Sequence, residues 1–199
     1  MAPAASGTGP APLITLDTPR LTLALAQPEA APRLVAYRRD NWEFHAPWSA
    51  PRGPDELSVA VWRRRLEQWA RDERDGHAVR LMLFPLGDVG GAILGTANFT
   101  QIVRGGFQAC HLGYDLDQRV EGRGLMQEAL TAAIAQLFGP LRLHRIMANY
   151  LPHNQRSGAL LRRLGFIPEG YARDYLFIDG AWRDHVLTAL TNPAPTPPG

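Results

Sequence analysis

Arg119-Val120-Glu121-Gly122-Arg123-Gly124 stands between His111-Leu112-Gly113-Tyr114-Asp115-Leu116 and a longer run that opens at Leu125. The run before it is aromatic and apolar and reads as a strand. In the run after it, Leu125, Ala129, Leu130, Ala133, Ile134 and Leu137 recur at the spacing of a helix with one buried face. A strand, a glycine-bearing turn and a helix N-terminus together make an anion site. The first helical turn has free N–H groups and a partial positive charge, and glycine lets a phosphate approach the backbone. Arg119 and Arg123 add charge and forked donors. We therefore expect the turn to hold a phosphate or pyrophosphate.

What the turn lacks narrows the ligand. A P-loop needs Gly-Lys followed by Ser or Thr, and the chain has no lysine. A dinucleotide fingerprint needs a third glycine where Gln127 stands. The remaining pattern, Arg-x-x-Gly-x-Gly, resembles the acetyl-coenzyme A pyrophosphate loop of the GNAT acetyltransferases. Downstream, Arg145–Tyr150 reads as a second strand. Asn154 then caps a short helix whose apolar face is Leu160, Leu161 and Leu164, stopped by Gly165. This is similar to the other half of the GNAT coenzyme site. From Leu112 to Leu190 the chain resembles one branch of that family, the ribosomal-protein alanine N-acetyltransferases. GLMQEALTAAI at 124–134, HRIMANYLPHNQRSGALLRRLGF at 144–166 and EGYARDYLFIDGAWRDHVLTAL at 169–190 carry the likeness. A weaker similarity runs from Thr18-Pro19-Arg20-Leu21 through the Trp-rich segment.

At 199 residues the chain suits one domain, large enough to bury about 70% of its unfolded surface. A net charge of +2 argues against a dominant nucleic-acid field. The pI near 9.0 overstates basicity, because no lysine titrates away at high pH. Without lysine there is no Schiff base or pyridoxal anchor. The single cysteine, Cys110, excludes an intramolecular disulfide framework and fits a reducing cytoplasm; it is read as a buried strand residue rather than an acyl carrier. No stretch is long and apolar enough for a membrane helix. Met1 to Pro12 lacks a basic leader and an apolar core, so no signal peptide is read there. The expected layout is a flexible tail over 1–16, one domain over 17–191 and a second tail over 192–199. The histidines and the cysteine show no metal-ligand spacing, so no metal is expected.

Along the domain, Leu21, Leu23 and Leu25 alternate into a first strand, and Pro28 to Arg39 reads as a first helix. Asn41 to Asp75 holds Trp42, Trp48, Trp62 and Trp69; a helix is expected from about Asp55, with Leu57, Val61, Leu66 and Trp69 on its apolar side. Ala78–Phe84 and Gly91–Phe99 read as strands around Gly87-Asp88-Val89-Gly90. Tyr171–Ile178 and Ala181–Leu190 flank Asp179-Gly180, a hairpin signal. The sum is a layered α/β (α+β) sandwich. The GNAT resemblance makes it specific: a central, mostly antiparallel sheet that splays open between the strands ending near Asp117 and Tyr150.

The resemblance implies acetyl-coenzyme A as cosubstrate, with Leu116, Arg119, Gly122, Arg123, Gly124, Leu125, Asn154 and Ser157 at its site. Pantetheine would pair with the freed strand edge near Leu116, whose strand also offers a backbone N–H to the developing oxyanion. Ser157 is the candidate acid for the departing thiolate, although Asn154 and Ser157 also suit simple helix capping. Some relatives place a glutamate base where Leu176 stands here, so that role does not transfer. Asp115, Asp174, His111 and His153 remain as proton acceptors, Asp115 being preferred, and a water chain would also serve because an α-amino group titrates near pH 7.7–8. Trp48, Asp174 and Tyr175 are expected at the acceptor, with Asp184 a further carboxylate for its positive amine; Trp62 and Trp69 are expected in the core. The implied acceptor is a protein N-terminus, the alanine of a small-subunit ribosomal protein, with ribosome association open. Two alternatives stand beside it: a small-amine acetyltransferase, and a non-catalytic ribosome-associated factor. Arg63-Arg64-Arg65 is read as a solvated helix face rather than an RNA contact.

Overall fold

In the computed structural model, which describes residues 14–194, eight strands form one sheet. They are β1 Thr15–Asp17, β2 Leu21–Leu25, β3 Val79–Pro85, β4 Gly95–Val103, β5 Ala109–Leu116, β6 Arg145–Tyr150, β7 Ile167–Ile178 and β8 Ala181–Thr191. Their spatial order is β1-β2-β3-β4-β5-β6-β8-β7, and every neighbouring pair is antiparallel except β5 with β6. Five α-helices accompany them: α1 Ala31–Asp40, α2 Trp42–His45, α3 Val59–Arg74, α4 Leu125–Phe138 and α5 Gln155–Arg163.

Two cores form because the central strands are apolar on both faces. Leu21, Leu23, Leu81, Leu83, Ala97, Phe99 and Leu112 pack under α4 and α5 with Leu130, Leu137 and Leu161. On the opposite face Met82 and Phe84 meet Leu34, Tyr37, Trp62 and Leu66 of α1 and α3. Trp62 lies edge-on to Trp69, with ring centroids 5.6 Å apart, so both tryptophans expected in the core are there.

Four expectations change. Composition assigned 1–16 to a tail, but Thr15 and Leu16 pair with Ala24 and Leu23 of β2, because an edge strand can be recruited by backbone bonds alone. Residues 1–13 and 195–199 lie outside the described residues, and so does the tail reading for them. At the other end, Asn192 belongs to the fold, donating to the Phe138 and Leu143 carbonyls at 3.2 Å each. The helix expected from Asp55 begins at Val59, because Ser58 caps it with its Oγ on the Val61 N–H. Glu56 is instead buried in the preceding turn, paired with Arg38 and Arg65, and Leu57 is exposed. Arg65 pairs with Glu56 yet keeps 42% of its side chain exposed, beside the exposed Arg63 and Arg64. Finally, β4 starts at Gly95 rather than Gly91, and Ile93 packs into the second core. Among the described residues no helix is long and apolar enough to cross a membrane.

The β5–β6 pairing is short. Only Ala109, Cys110 and His111 face Arg145, Ile146 and Met147, after which the two strands diverge. The rest of the site is built around that divergence.

Candidate active site

After β5 the chain makes a 3-10 turn over Gln118–Val120 and enters α4 through Gly122 and Gly124, both left-handed at φ 73° and 76°. Gly124 is the N-cap and offers no side chain; the first helical bond runs from the Glu128 N–H to its carbonyl. The N–H groups of Leu125, Met126 and Gln127 therefore have no intrahelical acceptor. A Cβ at Gly122 would meet nothing within 4 Å, so the space beside this backbone is open. These features fit a pyrophosphate.

The loop is fastened from a distance. Arg20 donates Nη1 to the Arg123 carbonyl (2.9 Å) and Nε to Glu128 (2.7 Å). Thr18 Oγ1 and the Arg20 N–H also bind Glu128. Arg119 turns back onto Asp117, its N–H and Nε reaching Oδ1 at 2.8 and 2.9 Å. Its backbone donor is thereby consumed, and the tie to Asp117 holds the loop's shape. The Arg123 side chain is exposed and braces the Arg119 carbonyl through Nη2 (3.2 Å).

Asp117 is 1% exposed. Hydrogen bonds from Arg119, chiefly the side-chain ones, outweigh burial and hold its carboxyl below the usual carboxylate range. Its folded value thus lies under the unfolded value of about 3.9. The stabilisation is complete above that unfolded value and drains away as pH falls through the folded one. Thermal melts below about pH 5 should show the wild type losing Tm more steeply than Asp117→Asn; parallel slopes would remove Asp117 as the acid-labile group.

At the divergence, strand alternation decides which backbone groups are free. The Asp117 N–H bonds to the Leu94 carbonyl across β4. The N–H and C=O of Leu116 and Tyr114 consequently point away from β4, into the opening. His45 Nε2 already sits 2.9 Å from the Leu116 carbonyl, which leaves the Leu116 N–H facing the cleft. Nothing in the local sequence of α2 announced that contact.

The second helix N-terminus faces the first. Asn154 Oδ1 accepts the Ser157 N–H at 3.1 Å, as its place before an apolar helix predicted. Ser157 Oγ in turn lies 2.8 Å from the Tyr114 hydroxyl. The next residue, Gly158, is pressed against Tyr150: a Cβ there would lie 2.8 Å from the ring. The absence of a side chain is what lets α5 lie this close to β6. Across the opening, Arg156 is paired with Glu121, and Arg163 Nε donates to Gln127 at 3.0 Å.

On the other face of β5, Asp115 Oδ1 accepts from Tyr37 (2.6 Å) and Thr96 (3.1 Å). Burial, then the Asp115 charge, pushes the Tyr37 phenol strongly upward, which keeps it a donor. Trp48 lines the cleft and lies against His153, ring centroids 5.5 Å apart. Asp174 and Tyr175 do not line it. Asp174 sits exposed in a bulge of β7, its N–H held by Asp184 at 2.9 Å, and Tyr175 is spent on Asn149 and the His185 ring. Asp184, also bound by Tyr171, is equally engaged. The cause is the bulge between Ala172 and Leu176, which hydrophobic alternation does not reveal. His111 lies four residues down β5, about 13 Å from Asp115, and burial lowers its pKa. Cys110 is fully buried and its thiol is pushed up to about 12 by burial, which disqualifies it as a nucleophile.

These groups surround a cleft of about 830 Å³ lined by Trp48, Asp115, Leu116, Gly122, Gly124 and Ser157, among others. An anion cradle, a free strand edge and a hydroxyl pair at the inner end form a site for a phosphate-bearing thioester.

The chain is similar to known proteins in sequence and in fold. A family model described as an acetyltransferase (GNAT) domain matches residues 20–167. The [ribosomal protein uS5]-alanine N-acetyltransferase of Escherichia coli K12 is 48% identical over 186 residues, covering 94% of this chain and 95% of its own. The ribosomal-protein-S5-alanine acetyltransferase of Vibrio fischeri superposes with a TM-score of 0.88 at 33% identity, covering 92% of this chain and all of that one. Mycobacterium smegmatis RimJ, solved in complex with CoA-disulfide, gives 0.82 at 27% identity, covering 92% of this chain and 88% of its own.

Proposed function

This chain belongs to the GNAT acetyltransferase family and takes its acetyl group from acetyl-coenzyme A, and on that premise we propose that it acetylates the α-amino group of an N-terminal alanine, that of ribosomal protein uS5. One observation supports the acceptor: the 48% identity to the E. coli uS5-alanine enzyme extends over 94% of this chain and 95% of that one. In this reading the backbone N–H groups at the start of α4 hold the pyrophosphate, and the β5 edge at Leu116 aligns pantetheine and supports the oxyanion. The amine approaches past Trp48 on the face that carries Asp115.

Attack by a neutral amine forms the new C–N bond and a tetrahedral centre, whose collapse breaks C–S. The amine gives a proton to Asp115 or to water, and Ser157 gives one to the sulfur. Tyr114 and Asp115 are consecutive, so the pleat sends them to opposite faces of β5. The opening beside β6 connects the two faces, and the proton donor and acceptor work on opposite sides of it.

Free-thiol release with mass detection, across peptides differing only in their first residue, tests the acceptor. Rapid acetylation of alanine-started peptides is expected. Transfer to polyamines or other small amines with none to any peptide would overturn it, and coenzyme binding without any turnover would favour a non-catalytic role.

A further inference from the structure

We propose that Tyr114 supplies Ser157 with the proton that the departing thiolate receives, so that the leaving-group acid is a two-hydroxyl relay rather than a lone serine. The inference rests on the acyl-transfer reading above, with Ser157 at the sulfur.

Three observations support it. The Tyr114 hydroxyl and Ser157 Oγ are 2.8 Å apart, within ordinary hydrogen-bond distance. Both residues line the cleft, Tyr114 from β5 and Ser157 from the first turn of α5. The pair is also held from both sides. Asn154 fixes the Ser157 backbone, Gly158 seats α5 directly on Tyr150, and the Tyr114 ring packs on the main core. Neither hydroxyl has another partner among the described residues, so Ser157 can accept from Tyr114 while directing its own hydrogen into the cleft.

The chemistry requires a source of this kind. A serine hydroxyl is a poor acid, and giving up its proton alone would leave an alkoxide in a half-buried site. When the C–S bond breaks, the electron pair on sulfur takes the Ser157 proton. The Ser157 O–H bond is remade with the phenol proton, and the tyrosinate regains a proton from solvent. No oxidant, reductant or further reactant is needed. Burial pushes the Tyr114 phenol up to about 12, still a stronger acid than an aliphatic alcohol. The same burial disfavours a lasting tyrosinate, so the two protons move together. Tyr114 acts through Ser157 and is a positioning and proton-supplying residue.

The test compares wild type, Tyr114→Phe, Ser157→Ala and the double variant, using full-length protein, acetyl-coenzyme A and the best acceptor found. Tyr114→Phe keeps the ring, so Tm and coenzyme affinity should stay at wild-type values. Its kcat should fall by roughly tenfold to a hundredfold, the low end for lost general-acid catalysis. The proton inventory of kcat in mixed light and heavy water should change from curved, with two protons in flight, to linear. The double variant should be no slower than Ser157→Ala, because the two groups act as one unit. A wild-type rate for Tyr114→Phe beside a crippled Ser157→Ala overturns the relay and leaves the parent reading intact. A wild-type rate for Ser157→Ala overturns the parent reading itself. Weakened coenzyme binding with an unchanged proton inventory in Tyr114→Phe assigns the phenol to packing and overturns the relay.

Discussion

Ser157→Ala lowers kcat by about a hundredfold while coenzyme affinity stays at the wild-type value. A positioned acid contributes roughly 10²–10⁴ in rate, and a thiolate leaving group with an ordinary pKa near 8.5 places this enzyme toward the low end. Affinity is spared because, in the proposed binding mode, the pyrophosphate contacts are backbone N–H groups of α4, a different helix. The fold is spared as well. The Ser157 contribution to the helix end is its N–H on Asn154, which alanine retains, and alanine is a good helix former. Steady-state kinetics with a separate coenzyme titration would check this. Wild-type turnover with intact binding would return Ser157 to a purely capping role.

Gly124→Val raises the coenzyme dissociation constant by about tenfold or more, a loss of at least about 1.4 kcal/mol. Crowding is not the first cause, since a Cβ there would meet only Arg20 Nη2 at an ordinary 3.7 Å. The cause is φ of 76°, where a β-branched residue is strained by roughly 1–2 kcal/mol. Relief of that strain would turn the N-cap and aim the first N–H groups of α4 away from the cleft. Gly124→Asn separates the contributions, because asparagine tolerates the left-handed region and is a favoured N-cap. It should retain more of the affinity than valine does. Calorimetric titration decides the matter, and unchanged affinity in Gly124→Val would remove the loop from the coenzyme site.

Much of this molecule was legible because its signals are local. The β6 strand lies at Arg145–Tyr150 as its apolar run predicted, Asn154 caps α5, Gly165 ends it at φ 89°, and Asp179-Gly180 turns the last hairpin with both residues left-handed. Each rests on backbone conformations or caps set within a few residues. Where local signals compete, prediction slipped. Pro54-Asp55-Glu56 suits a first helical turn, yet Ser58 caps better and Glu56 finds two arginines, one of them on α1. Asp174, expected at the acceptor, sits instead in the exposed bulge of β7, because a bulge re-aims side chains without changing the hydrophobic pattern.

The sequence by itself determined that a glycine turn at Gly122–Gly124 would open a helix whose first N–H groups are free, and that a capped helix with Ser157 would stand beside a second strand. Those outcomes follow from dihedral preferences and from unpaired N–H groups at helix starts. Only the tertiary structure decided the partners. Tyr114 meets Ser157 across 43 residues, His45 the Leu116 carbonyl across 71, Tyr37 the Asp115 carboxylate across 78, and Arg20 the Arg123 carbonyl across 103. No propensity encodes such contacts. They arise because β5 and β6 separate after His111, and because the fold brings α1, α2 and α5 to the gap that this separation leaves.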